Sequence, residues 1–263
     1  MSSEFKRVPA IDKCFAILDL FSRSTAPLGV SEISRQLQLN KSTVFQILHT
    51  LADLQVLEKG LDDKFTFGHR LYSLGIAAGE GSALIQTVHP HLVAINRKTT
   101  LSAFLGIRSG MDAVIIDKVD TAYDIKISSE IGMRIPLLAG AGGKALLAQL
   151  SDEELEQVLN GNRLKKYTAS SCVNKSRYKK EVLLVRENGL AIDREEYIEG
   201  IIAYAVPLKT RKEKLQAAVW AVGLKRQLTE QQLPAVARYL REVGEQINHR
   251  FALNGGPGAA VCA

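Results

Sequence analysis

Between residues 40 and 60 the chain carries one apolar stripe that few folds can use. Val44, Ile47, Leu48, Leu51 and Leu54 recur at i, i+3, i+4, i+7 and i+10, the spacing of a single buried helix face. Asn40, a favourable N-cap residue, precedes the stripe, and Gly60 closes the segment. Upstream, VSEISRQLQL places Val30, Ile33 and Leu37 on one face of a helix about two turns long, after a break marked by Pro27 and Gly29. From Ile11 to Phe21, Cys14, Phe15, Ile17, Leu18 and Phe21 recur at the same spacing. Two helices joined by a tight turn, the second about three turns long, predict a helix-turn-helix. LEKGLDDKFTFGH then reads as two short strands around the polar turn Asp62–Asp63–Lys64, a wing.

The buried stripe dictates what the second helix shows to a ligand: Lys41, Ser42, Thr43, Phe45, Gln46 and His49. Small hydroxyls at a helix N-terminus suit phosphate, because free N–H groups and the helix dipole point there. Gln46, one turn in, offers a bidentate amide to adenine in a major groove. Lys64 near the wing tip suits backbone phosphate, and Arg35 on the preceding helix joins these DNA-binding candidates. Charge alone does not establish the reading, since residues 1–72 hold nine Lys and Arg against eight Asp and Glu. Most of the chain's excess of +6 lies further on, much of it in Arg163, Lys165, Lys166, Lys175, Arg177, Lys179 and Lys180. Such a run reads as a solvated face.

After His69 the pattern becomes a connecting segment with glycine breaks at Gly75, Gly79 and Gly81 and a second helix around Leu84–Lys98. LSAFLGIRSG, AVIIDKV and DIKISSEIG are β-rich. Ala139–Leu159 returns to helix in two pieces, the second capped by Ser151 with Glu154 at capping-box spacing. Asn174–Asn188 is a further helix, ended by Gly189. LAIDRE, GIIAYAVPL and LQAAVWAVGL are strands, Glu230–Phe251 is an amphipathic helix, and NGGPGAAVCA reads as a disordered tail. The expected class is α+β: a winged helix-turn-helix over 1–70, linker helices over 71–98, a domain with an antiparallel sheet over 99–252 and the tail over 253–263.

Other functions find little support. No stretch approaches 18 consecutive apolar residues, which argues against a membrane span, and Asp12, Lys13 and Asp19 interrupt any signal-like start. A cytoplasmic protein is the expectation. Cys14, Cys172 and Cys262 have neither disulfide nor metal spacing, and no cofactor or metal is expected. An enzyme would draw on His89, His91, Cys172, Asp193, Glu195 and Glu196, yet no Ser/His/Asp order, HExxH or paired-carboxylate motif stands out. No catalytic residue is assigned. A sensor or enzyme without operator binding is the alternative class. The stretch Ala139–Lys144 opens a helix with glycines that let a ligand approach the backbone. A phosphate loop ending at Lys144 would need Gly at Leu138 and a hydroxyl at Ala145, so the loop suits a small anion rather than a nucleotide.

VPAIDKCFAILDLF, SEISRQLQLNKSTVFQILHTLADLQVLEK and FTFGHRLYSLG resemble the winged helix-turn-helix of the isocitrate lyase regulator (IclR) family of bacterial transcription factors. GMRIPLLAGAGGKALLAQL and ENGLAIDREEYIEGIIAYAVPL resemble the ligand-binding half of the same family. The similarity runs over about residues 8–250, with the motifs in order. It implies a homodimer or tetramer whose recognition helices enter successive major grooves of a palindromic double-stranded operator, and a GAF-like domain that binds a small organic acid. Carried over by motif, the effector contacts are Ala141 and Gly142 in the loop, Asp193 in LAIDREE, Ile201 and Ala203 in GIIAYA, and Trp220 and Val222 in AAVWAVG. Ile127 and Ile135 would be apolar walls. The chain departs from the family at Gln46, where a base is usual, and at Gly29, where a hydroxyl stands. It departs again at Trp220 and Val222, where carboxylate-binding relatives place small hydroxyl residues. That last change predicts a more apolar or aromatic effector stacked on Trp220, or an indole that fills part of the pocket.

Overall fold

Pro9 opens α1 (Pro9–Arg23) in the first turn, where its missing N–H removes no hydrogen bond. The computed structural model describes residues 7–80, 82–123, 127, 129–210 and 215–253. The chain forms two units, residues 1–81 and 82–263. In the first, α1 is followed by α2 (Val30–Leu37), α3 (Lys41–Asp53), β1 (Leu57–Lys59), β2 (Phe65–Phe67) and α4 (His69–Glu80). Gln38 ends α2 in the left-handed region, φ 53°, and the Ser34 hydroxyl donates to the Leu39 carbonyl at 2.6 Å, tightening the turn into α3. Ile17, Phe21, Leu28, Ile33, Val44, Leu48, Leu51, Leu57 and Phe65 form the core of this unit. Burial of each large side chain contributes roughly 1.5–3 kcal/mol.

Two details depart from the sequence reading. Leu54 is 46% exposed, because α3 stops at Asp53 and Leu54 sits beyond the last turn as its C-cap. Asn40 occupies the N-cap position, yet its side chain makes no capping hydrogen bond.

The second unit holds α5 (Ala83–Thr99), β3 (Ser102–Ser109), β4 (Asp112–Val119), β5 (Arg134–Pro136), α6 (Gly140–Leu147), α7 (Asp152–Gly161) and α8 (Lys175–Asn188). It continues with β6 (Ala191–Arg194), β7 (Ile201–Leu208), β8 (Ala217–Leu224), a short 3-10 turn and α9 (Leu233–Leu253). The six strands form one antiparallel sheet in the order β5-β4-β3-β8-β7-β6. Ser151 and Glu154 form the expected capping box on α7, and Gly189 ends α8 at φ 68°.

Strand alternation sorts side chains between two cores. On β8, Ala218, Trp220 and Val222 face the helices α6 to α8, whereas Ala217, Val219 and Ala221 face α5 and α9. The α5 face built from Val88, Leu92 and Ile95 is fully buried there, so the helix expected as part of a connecting segment belongs to this core. Pro90 lies inside α5.

The stretch DIKISSEIG forms no strand among its described residues. A turn with Gly132 at φ 88° intervenes, and β5 begins after it, pairing Ala113 with Ile135. The tail predicted at 253–263 lies, from residue 254, outside the described residues.

Candidate DNA-binding surface and ligand cavity

α3 brings Lys41, Ser42, Phe45 and Gln46 to the surface, with Thr43 and His49 half-buried. No acidic residue lies in its first turn, so the positive end of the helix dipole is left uncompensated beside Lys41 and Ser42. Phe45 is 51% exposed and stacks on His49 with ring centroids 4.1 Å apart, and His49 meets the buried Phe65 edge-on. This ladder ties the exposed face of α3 to the wing. At the wing tip, Lys59 pairs with Asp63 at 2.6 Å, and Asp62 Oδ1 accepts from the Lys64 N–H at 3.3 Å. Both tip acids are thereby engaged within the wing. Arg35, Lys41 and Lys64 are exposed and make no ion pair with a described residue.

The cations from 163 to 180 do not form such a free set. Arg177 pairs with Glu181 and Lys179 with Glu156, Lys175 reaches the Asn160 carbonyl, and Lys165 lies over the Tyr167 ring.

In the second unit, a cavity of about 120 Å³ opens between α6, the sheet and the turn after β6. Ala141 and Gly142 on α6, Asp193 on β6, and Ile201 and Ala203 on β7 all line it. So do Trp220 and Val222 on β8, with Ile127 and Ile135. Five separate stretches of chain thus converge on one space. The sequence reading did not single out Tyr197 and Ile198, which cover the cavity, or Ser129, Phe104 and Met133 in its walls. Tyr197 sits in the non-helical turn that follows β6, where no periodicity marks a residue as facing a cavity.

Asp193 is buried, and its Oδ1 accepts from the Glu196 N–H at 2.6 Å. Burial, first, and the Glu196 charge push its carboxyl up to about 6, against the N–H groups of Glu196 and Tyr197 and the Lys144 ammonium. Ala141 and Gly142 lie in the first turn of α6, where N–H groups have no partner within a helix. The cavity therefore offers donors on one wall and a proton-accepting acid on another.

Behind this wall lies a charge cluster that the sequence does not bring together. Lys144, 3% exposed, donates to Glu181 at 2.7 Å and to both carboxylate oxygens of Glu196 at 2.7 and 2.8 Å. Burial alone would lower its pKa; the charges and hydrogen bonds of Glu196 and Glu181 outweigh it and hold the ammonium above the ordinary lysine value. Thr168 and Ser171 donate to the carbonyls of Glu195 and Glu196 at 2.6 and 2.7 Å. The turn that covers the cavity is thus fastened at its side chains and its backbone.

Of the residues an enzyme would have used, Asp193 and Glu196 meet in the turn over the cavity, whereas the histidines and Cys172 make other contacts. His89 Nδ1 meets Asp117 at 2.8 Å, His91 is buried with Nε2 unpaired, and Cys172 contacts the Asn174 carbonyl. No metal-holding cluster exists among the described residues, and no helix among them is long and apolar enough to cross a membrane.

A winged helix-turn-helix with free cations, followed by an α+β unit around a small cavity, defines a ligand-responsive DNA-binding regulator. Residues 10–60 match the IclR helix-turn-helix domain, and residues 77–249 match the family described as bacterial transcriptional regulator IclR C-terminal. The chain belongs to the IclR family of transcriptional regulators and is not an enzyme. It is 31% identical to the HTH-type transcriptional regulator KdgR of Escherichia coli K12 over 205 residues, 78% of each chain. With the HTH-type transcriptional repressor AllR of the same strain it shares 26% identity over 254 residues, 96% of this chain and 93% of the other. An IclR homologue from Microbacterium hydrocarbonoxydans, solved with 4-hydroxybenzoate, superposes at TM-score 0.73 with 20% identity, covering 93% of this chain and 99% of that one.

Proposed function

We propose that the protein represses a catabolic operon in the cytoplasm by binding operator DNA, and that a small organic acid in the cavity controls this binding. The convergence of nine residues from five stretches of chain on one partly polar cavity carries the effector half. The Microbacterium homologue with its aromatic acid and the repressor AllR support the two halves in relatives. Lys41, Ser42 and Thr43 would hold phosphate, Gln46 would read a base edge, Phe45 would pack against the groove wall, and Arg35 and Lys64 would hold flanking backbone.

The homodimer or tetramer that the family resemblance implies is supported by the first unit's surface. Every residue of α4 is at least partly exposed, Tyr72 by 74% and Leu74 by 55%, while α1 exposes Ile11 and Phe15 by 54% and 62%. Such unpartnered apolar side chains on α1 and α4 suit a second copy, and a two-fold pair would match a palindromic operator. Phe15→Glu combined with Tyr72→Glu is expected to lower the mass in light scattering and to abolish operator binding at the same time. The residues from 71 to 98 would transmit the effector's preference for one state to the spacing of the paired helices; an effector that binds both states equally shifts nothing.

A gel shift on the DNA upstream of the protein's own gene, at two salt concentrations and with a panel of aliphatic and aromatic acids, tests the whole reading. Salt-sensitive, saturable binding that one acid weakens is expected. Ser42→Ala and Gln46→Ala are each expected to weaken operator binding by about tenfold with effector affinity unchanged. Unchanged DNA affinity in both variants would remove α3 from the interface.

A further inference from the structure

The effector cavity is small, and one side chain makes it so. Trp220 is 3% exposed and stands on β8 opposite Phe104 of β3 and Ala205 of β7. Its ring is seated by two glycines from different elements. A Cβ on Gly106 of β3 would lie 2.0 Å from Cη2 of the indole, and one on Gly142 of α6 would lie 3.2 Å from Cδ2 and Cε3. Gly106 follows a register shift in β3, and its hypothetical Cβ would also lie 3.0 Å from the Val114 carbonyl. Both glycines thus accommodate the indole, which lies against β3 at one edge and against α6 at the other. What remains is about 120 Å³. A cavity of about 150 Å³ takes up benzene, and pockets for larger ligands run from about 300 Å³ upward.

We propose that Trp220 is a specificity-determining residue that limits the effector to compact acids of about six non-hydrogen atoms or fewer and excludes aromatic acids. This rests on the effector reading above. The short acid lies with its carboxylate toward the N–H groups of Ala141 and Gly142 and a second oxygen toward Asp193, and the face of Trp220 closes the space beyond. Of the two expectations for Trp220, a cavity of this size favours the indole that fills part of the pocket over stacking on an aromatic ligand.

Trp220 is the chain's single tryptophan, so its emission reports on the cavity directly. Wild-type protein is titrated with glycolate, lactate and pyruvate, and with benzoate and 4-hydroxybenzoate, by fluorescence and calorimetry. At least one short acid is expected to bind and perturb the emission, and neither aromatic acid. Trp220→Ala, followed by calorimetry, is expected to bind benzoate at least about tenfold more tightly than wild type and to lose affinity for the short acid. Trp220→Leu is expected to do the same to a lesser degree, and the wild-type titration stands if neither variant folds. An aromatic acid that binds wild type as tightly as a short one overturns the proposal, as does a folded Trp220→Ala protein with unchanged preference. Failure of both classes with wild type would instead overturn the acid-effector reading, and the size limit with it.

Discussion

Replacing Lys144 with alanine is expected to destabilise the ligand-binding unit by about 3–5 kcal/mol, a large share of the roughly 5–15 kcal/mol that holds a domain folded. The Lys144 ammonium is the shared partner of Glu181 and Glu196, whose side chains are only 26% and 19% exposed. Without it two carboxylates face one another with too little water to solvate them. Its loss also removes the cation 5.7 Å above the ring of buried Tyr178. Arg177 holds Glu181 from the solvent side, and this relieves part of the repulsion, which places the loss toward the lower end of the range. The comparison that isolates charge is Lys144→Met with Glu181→Gln and Glu196→Gln, which keeps shape while removing all three charges and is expected to recover most of the stability. Urea unfolding followed by circular dichroism and Trp220 emission measures both. A Lys144→Ala midpoint equal to wild type would show that the cluster is solvated in solution and carries no stability.

This cluster also shows where the sequence stops being legible. Its acids lie 37 and 52 positions from Lys144, and each sits among other charges that could equally face water. Nothing local distinguishes a lysine that will be 3% exposed from the exposed Lys165 or Lys166. The helix-turn-helix was readable because its stripe and its periodicity are local properties of one helix. Leu54 misled because periodicity does not say where a helix stops. The cavity residues are intermediate. Period two puts Ile201 with Ala203 on one face of β7 and Trp220 with Val222 on one face of β8, whereas the register that joins those faces came from the structure and their meeting with Asp193 and Ala141 from the family resemblance. The size of the cavity was hidden, since it depends on Gly106 and Gly142 lying against one indole, a contact between elements far apart in the chain.

Asp193→Asn is expected to stabilise the protein at neutral pH, by about 2–3 kcal/mol. The carboxyl titrates near 3.8 when unfolded and is pushed up to about 6 in the fold. Below about pH 4 it is protonated in both states and contributes nothing. Between about 4 and 6 the unfolded chain releases a proton that the folded protein keeps, so stability falls as pH rises. Above that window the full cost of a buried charge remains. Asparagine removes the charge while its Oδ1 still accepts the Glu196 N–H now held at 2.6 Å. The gain should therefore be present at pH 7.5 and close to zero at pH 4. An equal difference at both values would place its cause in packing rather than ionisation. At the proposed effector site the same residue would govern the ligand: a carboxylate entering beside ionised Asp193 is favoured by proton uptake, so effector affinity in wild type should weaken as pH rises through 6. In Asp193→Asn it should be flat with pH and the dependence on buffer ionisation should vanish from calorimetry. A buried acid that lowers stability at neutral pH contributes nothing to folding that asparagine would not supply, and its proton is what an acid-binding cavity can use.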